Sequence, residues 1–409
     1  MITRRFQSIF RPQSGALAFF ISIVFWGIAV GSFAAGINNF LHEIYGVGKL
    51  DRGIIEFFRE MPGVFLVVLL ALLHRVSDWQ IMRLGALIAM VGVAALCIPA
   101  NKALITLFIV IWSTGEHLVM PIRHSVAMQV AQKGKEGLSL GFTSAVMHVG
   151  TVAGSLLVAG IFWIGTHWLE CQNPRLLFNI LWVFIGILML TSFISTFTEY
   201  APKSQSKRPK LYFHRKFNIF YLLELFYGAR KQVFMTFAPY VLVVIYKLNT
   251  SQVAMLIGLS GALNIAFAPL IGRICDKVGY RNVMIYDTVI LFFVCLFYGY
   301  ANTWFSPSVA VVVVCINYLL DAIISTTSMA ANLYVKDIGG SKDEITATLS
   351  TGISINHVIS IGAAWAGGWC WEHWGVETLF IFAAAMAIAN TLCAMAIPKK
   401  QPDIQEQAP

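Results

Sequence analysis

Apolar residues gather along this sequence into long blocks that carry few charges, separated by short polar connections. A helix needs about 20 predominantly apolar residues to cross a bilayer. Twelve blocks approach or exceed that length: Ala16–Phe40, Gly53–Leu73, Leu84–Ala100, Ala103–Val126, Leu138–Ile164, Leu176–Phe197, Phe217–Ile245, Gln252–Ile274, Val283–Tyr300, Ser308–Tyr334, Ile345–Trp371 and Val376–Ile397. The third and fourth are separated only by Asn101-Lys102. None shows the period-2 alternation of a barrel strand, and a lipid-facing backbone must satisfy its own hydrogen bonds, so the blocks are expected to be helices. The predicted fold class is an all-α integral membrane protein of twelve transmembrane helices.

Composition agrees. Hydrophobic residues make up 58% of the chain and charged ones 12%, half the roughly 25% of a soluble domain, too few to cover a water-exposed surface. Met1–Gly15 holds Arg4, Arg5 and Arg11 without a cleavage site, so the first block is expected to remain in the mature protein.

The net charge of +9 raises nucleic acid as a partner, and its distribution answers the question. With the N-terminus inside, the cytoplasmic segments collect Arg4, Arg5, Arg11, Arg75, Arg83, Lys133, Lys135, Lys203, Lys207, Arg208, Lys210, Arg215, Lys216, Arg273, Lys277, Arg281, Lys336, Lys342, Lys399 and Lys400. Only Lys49, Arg52, Lys102, Arg175 and Lys247 fall outside. This asymmetry predicts a multi-pass protein of the cell membrane with both termini cytoplasmic, and it makes the basic charge topological, with no nucleic-acid partner implied. The seven cysteines are scattered without disulfide or metal spacing.

The longest polar connection, Thr198–Lys216, divides the blocks into two sets of six. The expected organisation is an N-terminal bundle over 1–197, a cytoplasmic linker over 198–216, a C-terminal bundle over 217–398 and a cytoplasmic tail over 399–409. The two sets repeat each other. Phe25-Trp26-Gly27 matches Phe226-Tyr227-Gly228; Ile44-Tyr45 with Lys49-Leu50 matches Ile245-Tyr246-Lys247-Leu248 if Gly46-Val47-Gly48 is an insertion; Asp78 and Arg83 match Asp276 and Arg281; His148-Val149 matches His357-Val358. Duplicated halves with a site near midplane between them are a transporter architecture.

Gly272-Arg273-Ile274-Cys275-Asp276-Lys277-Val278-Gly279-Tyr280-Arg281 resembles the signature loop of the major facilitator superfamily, G-x-x-x-D-[RK]-x-G-x-[RK], at the place where that family repeats it. The first-half copy, His74 to Arg83, keeps Asp78 and Arg83 but lacks both glycines. The resemblance implies two pseudo-symmetric six-helix bundles and a conformational latch made of Gly272, Asp276, Lys277, Gly279, Arg281, Asp78 and Arg83. A carboxylate and a guanidinium at helix ends can pair in one state and part in another. The fifth block has Gly150-Thr151-Val152-Ala153-Gly154-Ser155 where the family's drug antiporters carry Gly-Pro-x-x-Gly-Gly; here the glycines suit close helix packing.

Ionisable residues at membrane depth are costly unless they face water or a partner, so they mark candidate sites. Arg230 and Lys231 sit midway along the seventh block. Adjacent residues on a helix point about 100° apart, so one is expected to face a central cavity and the other to pair within the bundle. Arg230, with its planar fork, is the stronger candidate for recognising an anion. In the tenth block Asn317, Asp321, Ser325, Ser328 and Asn332 share one face. Arg230, Lys231, Asn317, Asp321 and Ser325 form the candidate substrate site. Glu116, His117, Asp321, His148 and His357 are the candidates for proton coupling; for Glu116 and Asp321 simple pairing with Arg230 or Lys231 is the alternative. Glu56, Arg59 and Glu60, at helical spacing in the second block, are expected to neutralise one another.

No phosphate-binding loop, nucleophile elbow or metal motif occurs, and no cysteine or further histidine sits at ligand spacing. No enzyme activity, cofactor or metal is expected, and uphill transport would draw on an ion gradient. The function expected is secondary transport of a small organic anion by alternating access, with the proton as coupling ion and the chain acting as a monomer. Efflux of amphipathic compounds, lipid flipping and non-transporting sensing are the alternatives.

Overall fold

The computed structural model describes residues 8–198 and 212–398. Most of the linker, with Lys203, Lys207, Arg208 and Lys210, lies outside the described residues, as do Arg4, Arg5 and the tail from Lys399.

Each apolar block is a helix. In chain order they are α1 (Ala16–Tyr45), α2 (Lys49–Val64, continued after a break by Leu66–Leu72), α3 (Asp78–Ala95), α4 (Lys102–Val130), α5 (Glu136–His167) and α6 (Pro174–Ser195). The second half holds α7 (Asn218–Val244), α8 (Thr250–Val278), α9 (Tyr280–Trp304) and α10 (Pro307–Ser325, continued through a 3₁₀ turn into Met329–Ile338). Its last helix, Lys342–Met395, is two helices joined at Gly375, whose φ of 91° breaks the run; they are α11 (342–374) and α12 (376–395). Among the described residues, nine helices are apolar and long enough to cross a membrane. Dividing the last at Gly375 and adding the two charged helices α2 and α7 gives the twelve expected.

The third block differs most from expectation. It starts at Asp78 rather than Leu84, because Ser77 caps it: the Gln80 N–H donates to Ser77 Oγ at 3.4 Å, and the Ser77 N–H donates to Gln80 Oε1 at 3.1 Å. It ends at Ala95, four residues ahead of Pro99, which has no N–H to bond the Ala95 carbonyl and whose ring would crowd it. α2 breaks after Val64, two residues past Pro62, which has no N–H to donate to Phe58 O. Arg52, assigned to an outer loop from sequence, is instead buried inside α2.

The repeat is visible in three dimensions. α1 ends with Gly46 in the left-handed region, and the Val47 N–H donates to Leu41 O at 3.1 Å. α7 ends with Lys247 in the same conformation, and the Leu248 N–H donates to Leu242 O at 3.0 Å. Gly46-Val47 thus corresponds to Lys247-Leu248, so the proposed three-residue insertion is absent and Lys49-Leu50 matches the start of α8. Gly27 of α1 lies against Met147 and Gly150 of α5, and its counterpart Gly228 of α7 lies against Asn356 and Ile359 of α11.

α1 and α5 pack with their backbones nearly touching. A Cβ on Gly31 would stand 2.0 Å from Thr151 O, and one on Gly154 would stand 2.1 Å from Ile28 O. These small residues give the first half a rigid seam.

Polar contacts join the halves from the middle of the bundle to the end away from the linker. Asn39 Nδ2 donates to Leu248 O at 3.1 Å, Ser251 Oγ to Ala159 O at 2.9 Å, and the Tyr240 hydroxyl to Val47 O. Between α2 and α11, a Cβ on Gly53 would lie 2.9 Å from Gly368 Cα. The halves are therefore closed on each other at that end. At the other end the described part of the linker docks on α11, where Lys216 Nζ and the Tyr212 hydroxyl reach the Glu344 carboxylate at 2.8 and 2.9 Å.

Candidate functional site

The site is built on α2. Its charges recur at i, i+3 and i+4, so they share one face, and that face turns toward the junction of the halves. Arg52 Nη1 meets Glu56 Oε2 at 2.8 Å; Arg59 Nη2 meets Glu56 Oε1 at 2.6 Å and Glu60 Oε1 at 2.5 Å. Arg59 Nη1 lies 3.9 Å from Glu116 Oε2 on α4. The mutual neutralisation expected for Glu56, Arg59 and Glu60 is present, but the cluster does more than cancel itself. Gln232 Nε2 of α7 donates to Glu56 Oε1 at 2.9 Å, and His357 Nδ1 of α11 lies 3.1 Å from Glu60 Oε2. Two second-half helices thus end on the carboxylates of α2.

α7 places its two cations differently. Arg230 is buried and its Nη1 meets Asp321 Oδ1 of α10 at 2.5 Å, with the rings of Tyr227 and Phe234 beside the guanidinium at 5.2 and 5.9 Å. Arg230, favoured from sequence for the ligand, is thus held within its own half, and Asp321 with it. Lys231 is partly exposed, and its Nζ donates to Asn356 Oδ1 at 2.8 Å; Asn356 Nδ2 in turn donates to Glu224 Oε2 at 3.3 Å. Among the described residues, no carboxylate oxygen comes within 4.0 Å of the charged nitrogens of Lys231 or of Arg123.

The tenth-block stripe divides. Asn317 is buried and donates to Val313 O of its own helix at 2.8 Å, Ser325 is partly exposed beside Asp321's end of the helix, and Asn332 is exposed. Of the four proton-coupling candidates outside this stripe, the structure brings His117 and His357 together. Glu116 keeps 29% of its side chain exposed. His148 is exposed on α5, whereas its sequence counterpart His357 is drawn into the junction. His117 is buried, with its ring centroid 5.1 Å from that of His357.

The signature loop is asymmetric in one respect and symmetric in another. Asp78 is buried and accepts from Ser125 Oγ at 2.5 Å and Gln129 Nε2 at 2.6 Å, whereas Asp276 is exposed, as is Lys277. Both distal arginines cap a helix. Arg83 donates to Thr196 O at 2.9 Å at the end of α6, and Arg281 donates to Ile397 O at 2.7 Å and Met395 O at 2.9 Å at the end of α12. A guanidinium there satisfies carbonyls left over at a helix C-terminus and opposes its dipole. Gly279, at φ 84°, makes the turn between α8 and α9, which only a residue without Cβ adopts readily. Gly272 lies on α8 two turns earlier.

The profile of the Major Facilitator Superfamily matches residues 57–355. The chain belongs to this superfamily. It is accordingly a multi-pass membrane transporter. No curated protein sequence matches it. Among solved structures, the nucleoside transporter NupG superposes with a TM-score of 0.73 at 13% identity, covering 95% of this chain and 100% of its own. A bacterial homologue of the iron transporter ferroportin, in an inward-facing state, gives 0.72 at 10% identity, covering 93% and 98%. A D-xylose–proton symporter gives 0.69 at 12% identity, covering 95% and 98%. At these identities the likeness is one of fold.

Sequence reasoning missed Glu56, Glu60, Gln232 and Asn356 as members of the junction. Gln232 is next to Lys231 in an apolar helix, and an uncharged amide there was a signal. That His357 meets Glu60 had no local signal.

Proposed function

We propose that this protein is a secondary transporter that moves a small organic anion by alternating access, with Lys231 as the cation that meets it. One observation carries the reading: Lys231 sits at the junction bonded to a neutral amide, while the other central cations of α2 and α7 are bonded to carboxylates. An ammonium whose partner is replaceable can exchange Asn356 for a substrate anion at small cost. Arg123, two turns beyond Glu116 on α4, supplies a second such charge from the opposite half. The two six-helix halves, 1–197 and 217–398 joined by the linker 198–216, rock about this junction. The contacts away from the linker support a state closed on that side; with both termini cytoplasmic, that is the inward-open state.

Glu116, partly exposed and only loosely held by Arg59, is the proton-coupling carboxylate of choice, since Asp321 is committed to Arg230. The near-cancellation of charge on α2 supports a second reading, an uncharged polar solute held by Gln232 and Asn356.

Lys231→Gln separates the two. It removes a charge-assisted bond worth about 1.5–3 kcal/mol, so the affinity for an anionic ligand found by thermal-shift screening falls about one to two decades. Binding measured on purified Lys231→Gln that stays at the wild-type value would sink the anion reading and leave the neutral solute.

The exposed Asp276 is free to meet a partner when the linker side closes. Asp276→Asn should leave folding and ligand binding intact and slow transport. Equal transport rates in proteoliposomes would reduce the loop to a positional anchor.

A further inference from the structure

Three side chains from three helices converge at the junction without being needed by the transport reading. The ligand-capable atoms of Glu60 on α2, His117 on α4 and His357 on α11 all lie within 4.8 Å of one another. Glu60 and His117 are buried, and only 12% of the His357 side chain is exposed.

His117 and Glu60 are already oriented by contacts outside the cluster, and His357 by Glu60. His117 Nδ1 lies 2.8 Å from Ser113 O, so it carries the hydrogen and leaves a lone pair on Nε2. Glu60 gives Oε1 to Arg59 and accepts at Oε2 from His357 Nδ1, so binding an ion there moves the His357 hydrogen to Nε2. Such outer bonds fix tautomer and direction in metal sites.

The space between the rings is kept by Gly63. A Cβ built there would lie 2.8 Å from His117 Cδ2 and Nε2 and from His357 Nδ1. Two imidazoles and a carboxylate with an open fourth position form a donor set suited to zinc and neighbouring divalent ions. At tetrahedral zinc, bonds near 2.0 Å put ligand atoms roughly 3.3 Å apart, so closure asks each ring to move by about an ångström.

We propose that Glu60, His117 and His357 bind a divalent transition-metal ion, and that the ion clamps the two halves in the conformation seen here. Glu60 and His117 come from the first half and His357 from the second, so the site is complete only while α2 and α11 are together. Moving the halves apart removes one imidazole and weakens the hold on the ion. The inference does not depend on what the transporter carries.

The test uses metal alone, with no substrate. Co²⁺ titrated into the purified, chelator-treated full chain should bind one equivalent and show the visible bands of a low-coordinate, nitrogen-ligated site. His357→Ala should weaken binding by at least the 10- to 100-fold that loss of a mere supporting contact costs. His148→Ala, an exposed histidine outside the site, should leave it unchanged. Because His117→Ala opens a buried gap, its folding is checked by melting without metal. Gly63→Ala offers a variant that keeps all three ligands and forces both rings aside, and it should also lose Co²⁺. Co²⁺ binding that is absent in the wild type, or that survives His357→Ala undiminished, overturns the proposal. Zn²⁺ should raise the wild-type melting temperature and not that of His357→Ala; an equal rise in both also overturns it.

Discussion

Arg230→Gln should cost the protein about 3–5 kcal/mol, the penalty for leaving one member of a buried ion pair alone. Asp321 would then be a carboxylate inside its own half with no cation bonded to it, since Arg230 Nη1 is the group at 2.5 Å. Asp321→Asn should destabilise to a similar degree. The paired change Arg230→Met with Asp321→Leu should recover most of the loss, because an apolar pair of similar volume avoids desolvating two charges. Melting of the paired variant beside the single changes Arg230→Met and Asp321→Leu and the wild type, in one detergent, closes the cycle and isolates the coupling. An Arg230→Gln protein that melts like the wild type yet no longer binds its anion would mean that the guanidinium is a ligand contact after all.

Gly53→Leu should stop transport while leaving the protein folded. A Cβ at this position would lie 2.6 Å from Ala364 O and 2.9 Å from Gly368 Cα, so any side chain pushes α2 away from α11. These helices belong to different halves, so the clash exists only when the end away from the linker is closed. Overpacking costs about 1–3 kcal/mol, which moves the equilibrium between states by roughly 5- to 150-fold. Asn39, buried and bonded across the halves to Leu248 O, is a reporter: in an Asn39→Cys background, Gly53→Leu should speed labelling by a membrane-impermeant maleimide. Unchanged labelling with full transport would show that α2 and α11 need not meet at Gly53.

Most of the twelve helices were legible because a run of apolar residues of bilayer length is a local property; α2 and α7 carry charges and were legible from the apolar residues around them. The one shifted helix, α3, was misplaced because its start is polar: Ser77-Asp78-Trp79-Gln80 carries a capping box that hydropathy does not register. The repeat was legible as well, and Arg83 and Arg281 share one geometry at the ends of α6 and α12. Its functional extrapolation was less secure. His148 and His357 match in sequence, yet one is exposed and the other bonded to Glu60. The choice between Arg230 and Lys231 turns on the rotation of α7 against α10 and α11, which no periodicity within α7 reveals. Likewise, Glu60, His117 and His357 are far apart in sequence, and only the approach of three helices makes them neighbours.

The charges of α2 also bear on how the chain enters the membrane. Between Lys49 and Val64 the helix carries Asp51, Arg52, Glu56, Arg59 and Glu60, and each charge near a helix centre costs about 2.5–3.5 kcal/mol on insertion scales. Alone, this segment does not favour lipid. Ser113, whose hydroxyl donates to Arg59 O, comes with α4, but Gln232 and His357 are synthesised far later. In the second half the counterpart α8 keeps Arg273, Asp276 and Lys277 at its linker end, with an uncharged run before them. The two repeats are therefore unequal as biosynthetic units: the later one supplies an apolar second helix outright, while the earlier one completes its second helix only when partners from the rest of the chain arrive.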